Sequence, residues 1–199
     1  MNDVDIARPL LRDAHDSIKQ VRKYTGKPYW THTERVAEIV SQYTSDEDVI
    51  IAALAHDLKE DVTPLAPEYN DDWILNRFGA RVLSLVDELT DQYTKERYPT
   101  LVRADRKELE RFRLKLTSPQ AKLIKLADLL DNTEDIAKND EGFAKTYLTE
   151  KLLLLPLLSE ANKHLFLRVY YQLTQILHDK RWEVTIKEKP PVLTLDEVR

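Results

Sequence analysis

Val49-Ile50-Ile51-Ala52-Ala53-Leu54-Ala55-His56-Asp57-Leu58-Lys59-Glu60-Asp61 is the stretch on which both fold and chemistry turn. Its unbroken apolar run reads as the centre of a core, and it delivers a histidine and an aspartate at its end. Burying two such groups side by side is costly unless something compensates them. On a helix, His56 and Glu60 are four apart, as are Asp57 and Asp61, so the four make two neighbouring stripes on one face. Carboxylates this close repel one another unless a cation sits among them. The competing reading is a solvated acidic helix end, because Lys59 lies inside the cluster.

Outward from this stretch the pattern stays helical. Ser45 or Asp46 can cap the central helix, which is expected to run from Val49 to about Lys59 before Thr63-Pro64 ends it. Upstream, apolar residues at helical spacing predict a helix from about Asp5 to Lys23, broken at Thr25-Gly26-Lys27-Pro28, and a second near His32. Downstream, helices are expected over Asp71–Phe78, stopped by Gly79, and over Ala80–Leu89 and Arg103–Leu116. A polar, mobile-looking stretch, Tyr93 to Thr100, lies between the last two. Ser118 at a cap and Pro119 at the first helical position open another helix that carries Asp128. Tyr147–Leu158 and about Glu160–His178 complete the set. Three glycines in the whole chain argue against glycine-rich phosphate loops and many tight hairpins. The expected fold is all-α, a bundle of about eight to ten helices over residues 1–180. An irregular C-terminal tail with Pro190-Pro191 is expected over 181–199.

Composition narrows the function. A chain of 199 residues suits one domain. A formal charge of −5 gives no footprint for duplex nucleic acid. The longest near-continuous apolar run, Leu152 to Leu158, is too short to span a bilayer. Met1 to Pro9 lacks a signal-peptide pattern, so a cytoplasmic location is expected. A homodimer is compatible with all of this. Without cysteine, any metal must be held by imidazole and oxygen.

Three of the five histidines precede an aspartate, so the dipeptide alone selects nothing. His178-Asp179 ends a helix and reads as a partner of its last carbonyls. His15, before Asp16, reads as a surface or packed histidine, and His164 has no assigned role. His56-Asp57 stands out for its apolar setting. His32 starts the preceding helix, and Asp128 is a carboxylate in an apolar helical context that would need several donors if buried alone. His32, His56, Asp57 and Asp128 make a mixed nitrogen–oxygen set that suits manganese, iron, cobalt or zinc better than calcium.

The order His…His-Asp…Asp resembles the HD superfamily of metal-dependent phosphohydrolases. Pro28-Tyr29-Trp30-Thr31-His32, the segment Ala52 to Thr63, Phe78-Gly79, Leu89-Thr90-Asp91 and Ser118 to Asp128, closing with Asn132, are more narrowly similar to the alarmone hydrolases, above all the stand-alone small ones. The resemblance covers roughly residues 10 to 160. It implies one divalent ion, manganese first, on His32, His56, Asp57 and Asp128, and hydrolysis of the 3′-pyrophosphate of (p)ppGpp. Glu60 and Asp61 would then position or deprotonate the attacking water. Arg22, Lys23, Lys125 and Asn132 would contact the nucleotide. The chain departs from the pattern after Gly142-Phe143. Tyr147 stands where relatives carry an arginine, and Lys151 where they carry a tyrosine, so the pocket that reads the substrate is rewritten around unchanged metal chemistry. The alternatives that remain are an HD-type phosphohydrolase or 5′-nucleotidase with another phosphorylated nucleotide, and a catalytically idle nucleotide sensor.

Overall fold

A computed structural model describes residues 2–183. Helix α1 spans Asp3–Ser17, α2 Trp30–Ser41 and α3 Glu47–Ala55. They are followed by α4 over Asp71–Phe78, α5 over Ala80–Leu89 and α6 over Arg103–Lys115. The chain then forms α7 over Pro119–Asn139, α8 over Glu141–Leu154 and α9 over Lys163–Asp179. Among the described residues the only β pairing is an isolated antiparallel bridge between Val21 and Pro28. The all-α expectation holds. The expected tail, with Val184, Ile186 and Pro190-Pro191, lies outside the described residues.

Every residue of α3 from Val49 to Ala55 is buried, so beyond its first turn this helix has no solvent face. It packs on α1, α2, α5 and α7, and α7 in turn meets α2, α8 and α9. Removing a fully enclosed side chain from this centre, such as Leu54, costs about 2–5 kcal/mol. Helix starts follow local chemistry. Asn2 and Asp5 close a capping box on α1. The Ser118 hydroxyl accepts from the Ala121 amide with Pro119 at the next position. The Asp140 carboxylate caps α8 after ending α7. Gly79 turns the chain between α4 and α5 at φ +89°, a conformation that favours glycine.

Three boundaries differ from the sequence expectation: α8 covers Glu141–Leu154 rather than Tyr147–Leu158, because the Asp140 side chain caps it at Phe143 N–H, and the other two shape the site. The first helix stops at Ser17 rather than Lys23, because Lys19 adopts φ +52°. The chain after it is tied back by Arg22 N–H donating to Lys27 C=O at 2.8 Å and Tyr29 N–H to Gln20 C=O at 2.9 Å. Second, α3 ends at Ala55, and Leu58–Val62 forms a wider π-helical turn, with Thr63 N–H donating to Leu58 C=O at 2.9 Å. Single π turns inside helices are common at functional sites. Here the turn carries Glu60 and Asp61, so the two regular stripes expected of an unbroken helix are replaced by a re-aimed pair.

Candidate metal centre and active site

Four elements converge on the His56-Asp57 corner: the start of α2, the end of α3, the π turn and the middle of α7. One ligand atom from each of His32, His56 and Asp57 lies within 4.8 Å of the others. Asp128 Oδ1 is 3.4 Å from His32 Nε2 and 4.0 Å from His56 Nε2. Asp57 Oδ2 lies 3.0 Å from His56 Nε2 and 3.6 Å from His32 Nε2. The four side chains expected to act together do meet.

Tautomers follow from the second ring nitrogens. His56 Nδ1 donates to the Ala53 carbonyl at 2.8 Å. His32 Nδ1 faces Asp131 Oδ2 at 2.7 Å. Each Nε2 therefore points inward, and both are buried without a hydrogen-bond partner among the described residues. Metal-bound histidines are held in this way, with the outer nitrogen on a carbonyl or carboxylate. Two orphaned buried imidazole nitrogens between two carboxylates fit a divalent cation.

The charges agree. Burial alone would lower the His32 pKa, but Asp128, Asp131 and Asp57 outweigh it and raise it to about 10. His56 also rises against its burial, chiefly through Asp57. Burial pushes Asp57 up, yet His56 and His32 hold it well below the usual carboxylate range. The centre thus gathers positive charge, which protons supply when no metal does. Lys59, the residue that could have made this a plain acidic helix end, points elsewhere and pairs with Asp71 at 2.7 Å and with Asp87.

Glu60 and Asp61 flank the centre without joining it. Glu60 Oε1 accepts from the Asp91 amide at 2.6 Å. Desolvation within the cleft, then the Asp57 and Asp91 charges, push its carboxyl up to about 7. Asp61 accepts from Gln20 Nε2 at 2.7 Å, and desolvation together with Asp57 pushes it up to about 6. Both are more basic than ordinary carboxylates, as a proton acceptor working near neutrality needs.

The candidate substrate residues divide. Arg22 Nη2 sits 2.7 Å from both Asp131 and Asp135, so it holds the carboxylate that orients His32. Lys125 pairs with Asp128 at 2.8 Å, and Asp128, Asp91 and Glu60 raise its pKa despite burial. Asn132 Nδ2 donates to Asp128 Oδ1 at 2.5 Å. These three brace the centre in the structure. Lys23 is exposed and pairs with Asp140 at 3.2 Å. Tyr147 is buried, and Lys151 lies over its ring at 4.8 Å. Burial and the neighbouring Lys125 charge push Lys151 down to about 8. Lys107, Arg111, Lys125 and Lys151 line one cleft together with Asp91, Glu110 and Glu150, and Lys107 pairs with Asp91 at 3.1 Å.

Sequence reasoning missed two supports of the ligands. Tyr29 Oη donates to Asp57 Oδ2 at 2.7 Å, and Asp131 partners His32. Asp131 follows Asp128 by one helical turn in an apolar run, a signal that was present. Tyr29 had only its place in the Pro-Tyr-Trp-Thr-His segment.

A helical bundle that closes two histidines and two aspartates onto one point, with the His-Asp pair at its middle, is of the HD kind. The chain belongs to the HD domain family, which matches residues 7–155. It is similar to the guanosine-3′,5′-bis(diphosphate) 3′-pyrophosphohydrolase MESH1 of Homo sapiens, 35% identical over 128 residues, covering 63% of this chain and 65% of that protein. The guanosine-3′,5′-bis(diphosphate) 3′-pyrophosphohydrolase of Haemophilus influenzae is 36% identical over 124 residues, covering 62% of this chain and 17% of that longer protein. The match therefore spans just under two thirds of the human relative's length. A solved structure described as a metazoan ortholog of SpoT that hydrolyzes ppGpp superposes with a TM-score of 0.73 at 29% identity, covering 90% of this chain and 96% of that one. HD domain hydrolases use divalent metals, in keeping with the His/Asp cluster. No helix among the described residues is long and apolar enough to cross a membrane.

Proposed function

We propose that the chain is a metal-dependent nucleotide phosphohydrolase that removes pyrophosphate from the 3′ position of (p)ppGpp-like nucleotides in the cytoplasm. The observation that carries this reading is the pair of inward-facing, partnerless Nε2 atoms of His32 and His56 between Asp57 and Asp128. The similarity to relatives named for this reaction supports the choice of substrate. His32, His56, Asp57 and Asp128 would hold the ion, with manganese the first choice. When bound, it supplies a Lewis acid that polarises a phosphoryl oxygen and lowers the pKa of water.

This chain's own residues do the rest. Glu60, fixed by the Asp91 amide, and Asp61, fixed by Gln20, accept a proton from the attacking water. Lys107 and Lys151 offset phosphate charge along the cleft wall. Tyr29 and Asp131 keep Asp57 and His32 oriented. Purified protein with manganese and ppGpp should release pyrophosphate and GDP. Tyr147 and Lys151 favour a second substrate reading, in which the same chemistry acts on a different phosphorylated nucleotide. Turnover of another nucleotide but not ppGpp would establish that reading. No turnover of any nucleotide by metal-loaded protein would refute the enzyme and leave a nucleotide sensor.

A further inference from the structure

His15 projects from α1 into the bundle and is fully buried, although its helix reads as amphipathic and exposed. Its Nδ1 lies 2.7 Å from Gln20 Oε1, and Gln20 Nε2 lies 2.7 Å from Asp61 Oδ2. A carboxylate only accepts, so the amide must present its NH2 to Asp61 and its oxygen to His15. His15 must then carry its proton on Nδ1. Its Nε2 is buried without a partner among the described residues. Burial lowers the His15 pKa, which keeps the ring neutral at pH 7.

The chain of contacts is thus directional. His15 has one donor to give, and Gln20 has one orientation that satisfies both neighbours. Freed from His15, the amide could rotate or turn toward water, and Asp61 would lose its fixed direction. The donor at Asp61 is also uncharged. Asp128, by contrast, is held by the Lys125 ammonium at 2.8 Å. An ammonium on a carboxylate makes it a poor proton acceptor, whereas a neutral amide orients it and leaves it basic. Two carboxylates of one site are given different partners for different tasks.

We infer that His15 and Gln20 are positioning residues that act in relay, His15 locking the Gln20 amide and Gln20 fixing the Asp61 carboxylate for proton transfer from water. The inference rests on the proposed hydrolysis for the task of Asp61, but the relay itself can be tested apart from activity. The long break between Ser17 and Trp30 then has a purpose, since α1 must end early for Gln20 to reach the π turn.

Nitrogen NMR of the imidazole rings in the whole chain loaded with diamagnetic zinc should show His15 as the neutral Nδ1–H tautomer. The Gln20 side-chain amide should be protected from hydrogen exchange. His15→Leu should abolish that protection, and His15→Asn, whose amide can donate from the place of Nδ1, should keep it. In kinetics, His15→Leu and Gln20→Leu should lower kcat on the order of tenfold with KM nearly unchanged, and His15→Asn should recover most of the rate. Bound metal should stay the same in all three. A charged or Nε2–H ring in the wild type, or an amide equally protected in His15→Leu, would overturn the relay. So would wild-type kcat in both leucine variants. If the wild type hydrolysed no nucleotide, the proposed function would fall, while the tautomer and the amide protection would still decide the relay.

Discussion

Arg22→Met separates two jobs that the same residue could have. In the nucleotide-binding job, Arg22 meets base or phosphate, and its loss raises KM. In the structure, Nη2 instead bridges Asp131 and Asp135 at 2.7 Å each, with the arginine side chain only 12% exposed. Asp131 in turn receives His32 Nδ1 at 2.7 Å. Removing the guanidinium leaves two neighbouring carboxylates with one imidazole between them. Breaking a buried pair costs about 3–5 kcal/mol and a surface pair at most about 1, so this largely but not fully buried bridge should cost about 2–3 kcal/mol. At about 2–4 °C per kcal/mol for a chain of this length, Tm should fall by about 4–12 °C. Loosening a carboxylate that orients a metal-bound histidine should also weaken manganese binding about 10–100-fold. Thermal unfolding in chelator and calorimetric titration with manganese measure the two effects independently. A variant with wild-type Tm and wild-type metal affinity but a raised KM would refute the bracing role and return Arg22 to the substrate.

Manganese at about a hundred times its Kd should stabilise the wild type by about 2.7 kcal/mol, a clear rise in Tm. His56→Ala and Asp57→Ala should abolish that rise and the bound metal, and an undiminished metal content in either would remove the site from His56-Asp57. Without metal, Glu60, raised from 4.5 to about 7, and Asp61, raised from 3.8 to about 6, keep protons that the unfolded chain has already released. Their contribution is complete below the unfolded values and disappears as pH climbs through the folded ones. Metal-free Tm should accordingly fall between about pH 5 and pH 8, less steeply in Glu60→Gln, and a Tm that rises over this window would contradict the raised carboxylates. Lys151, lowered to about 8, should lose its charge above that pH. An alkaline limb in kcat/KM that moves upward in Lys151→Arg would place this cation on the substrate, and an unmoved limb would exclude it.

Much of the fold was legible because helices announce themselves through spacing and caps. Ser118-Pro119 marked the start of α7, and Gly79 marked the corner before α5. The clustering of the four proposed ligands was legible for a different reason. Polar residues in apolar runs, such as His56 after Ala55 and Asp128 after Ala127, are too costly to place without a purpose. Illegible features depended on backbone departures that no periodicity encodes. Lys19 entering a positive φ ends α1 early, and this brings Gln20 to Asp61. The partner of buried His15 also escaped, since Gln20 lies beyond the end of its helix.

The π turn shows why the remaining part of the site resisted reading. Regular α-helix through Asp61 would stack Glu60 over His56 and Asp61 over Asp57, so acids and ligands would compete for one cation. Widening the turn at Leu58–Val62 moves the acids aside. It sends Glu60 to the Asp91 amide and Asp61 to Gln20, both uncharged donors, while Lys125 is reserved for Asp128. Asp57 is thereby held ionised and the flanking pair kept basic, within a few residues of one another. Spacing alone supplies the residue types for acid–base work. The separation of the proposed ligands from the proposed proton acceptors comes from one distorted turn and from the neutral donors that wait on either side of it.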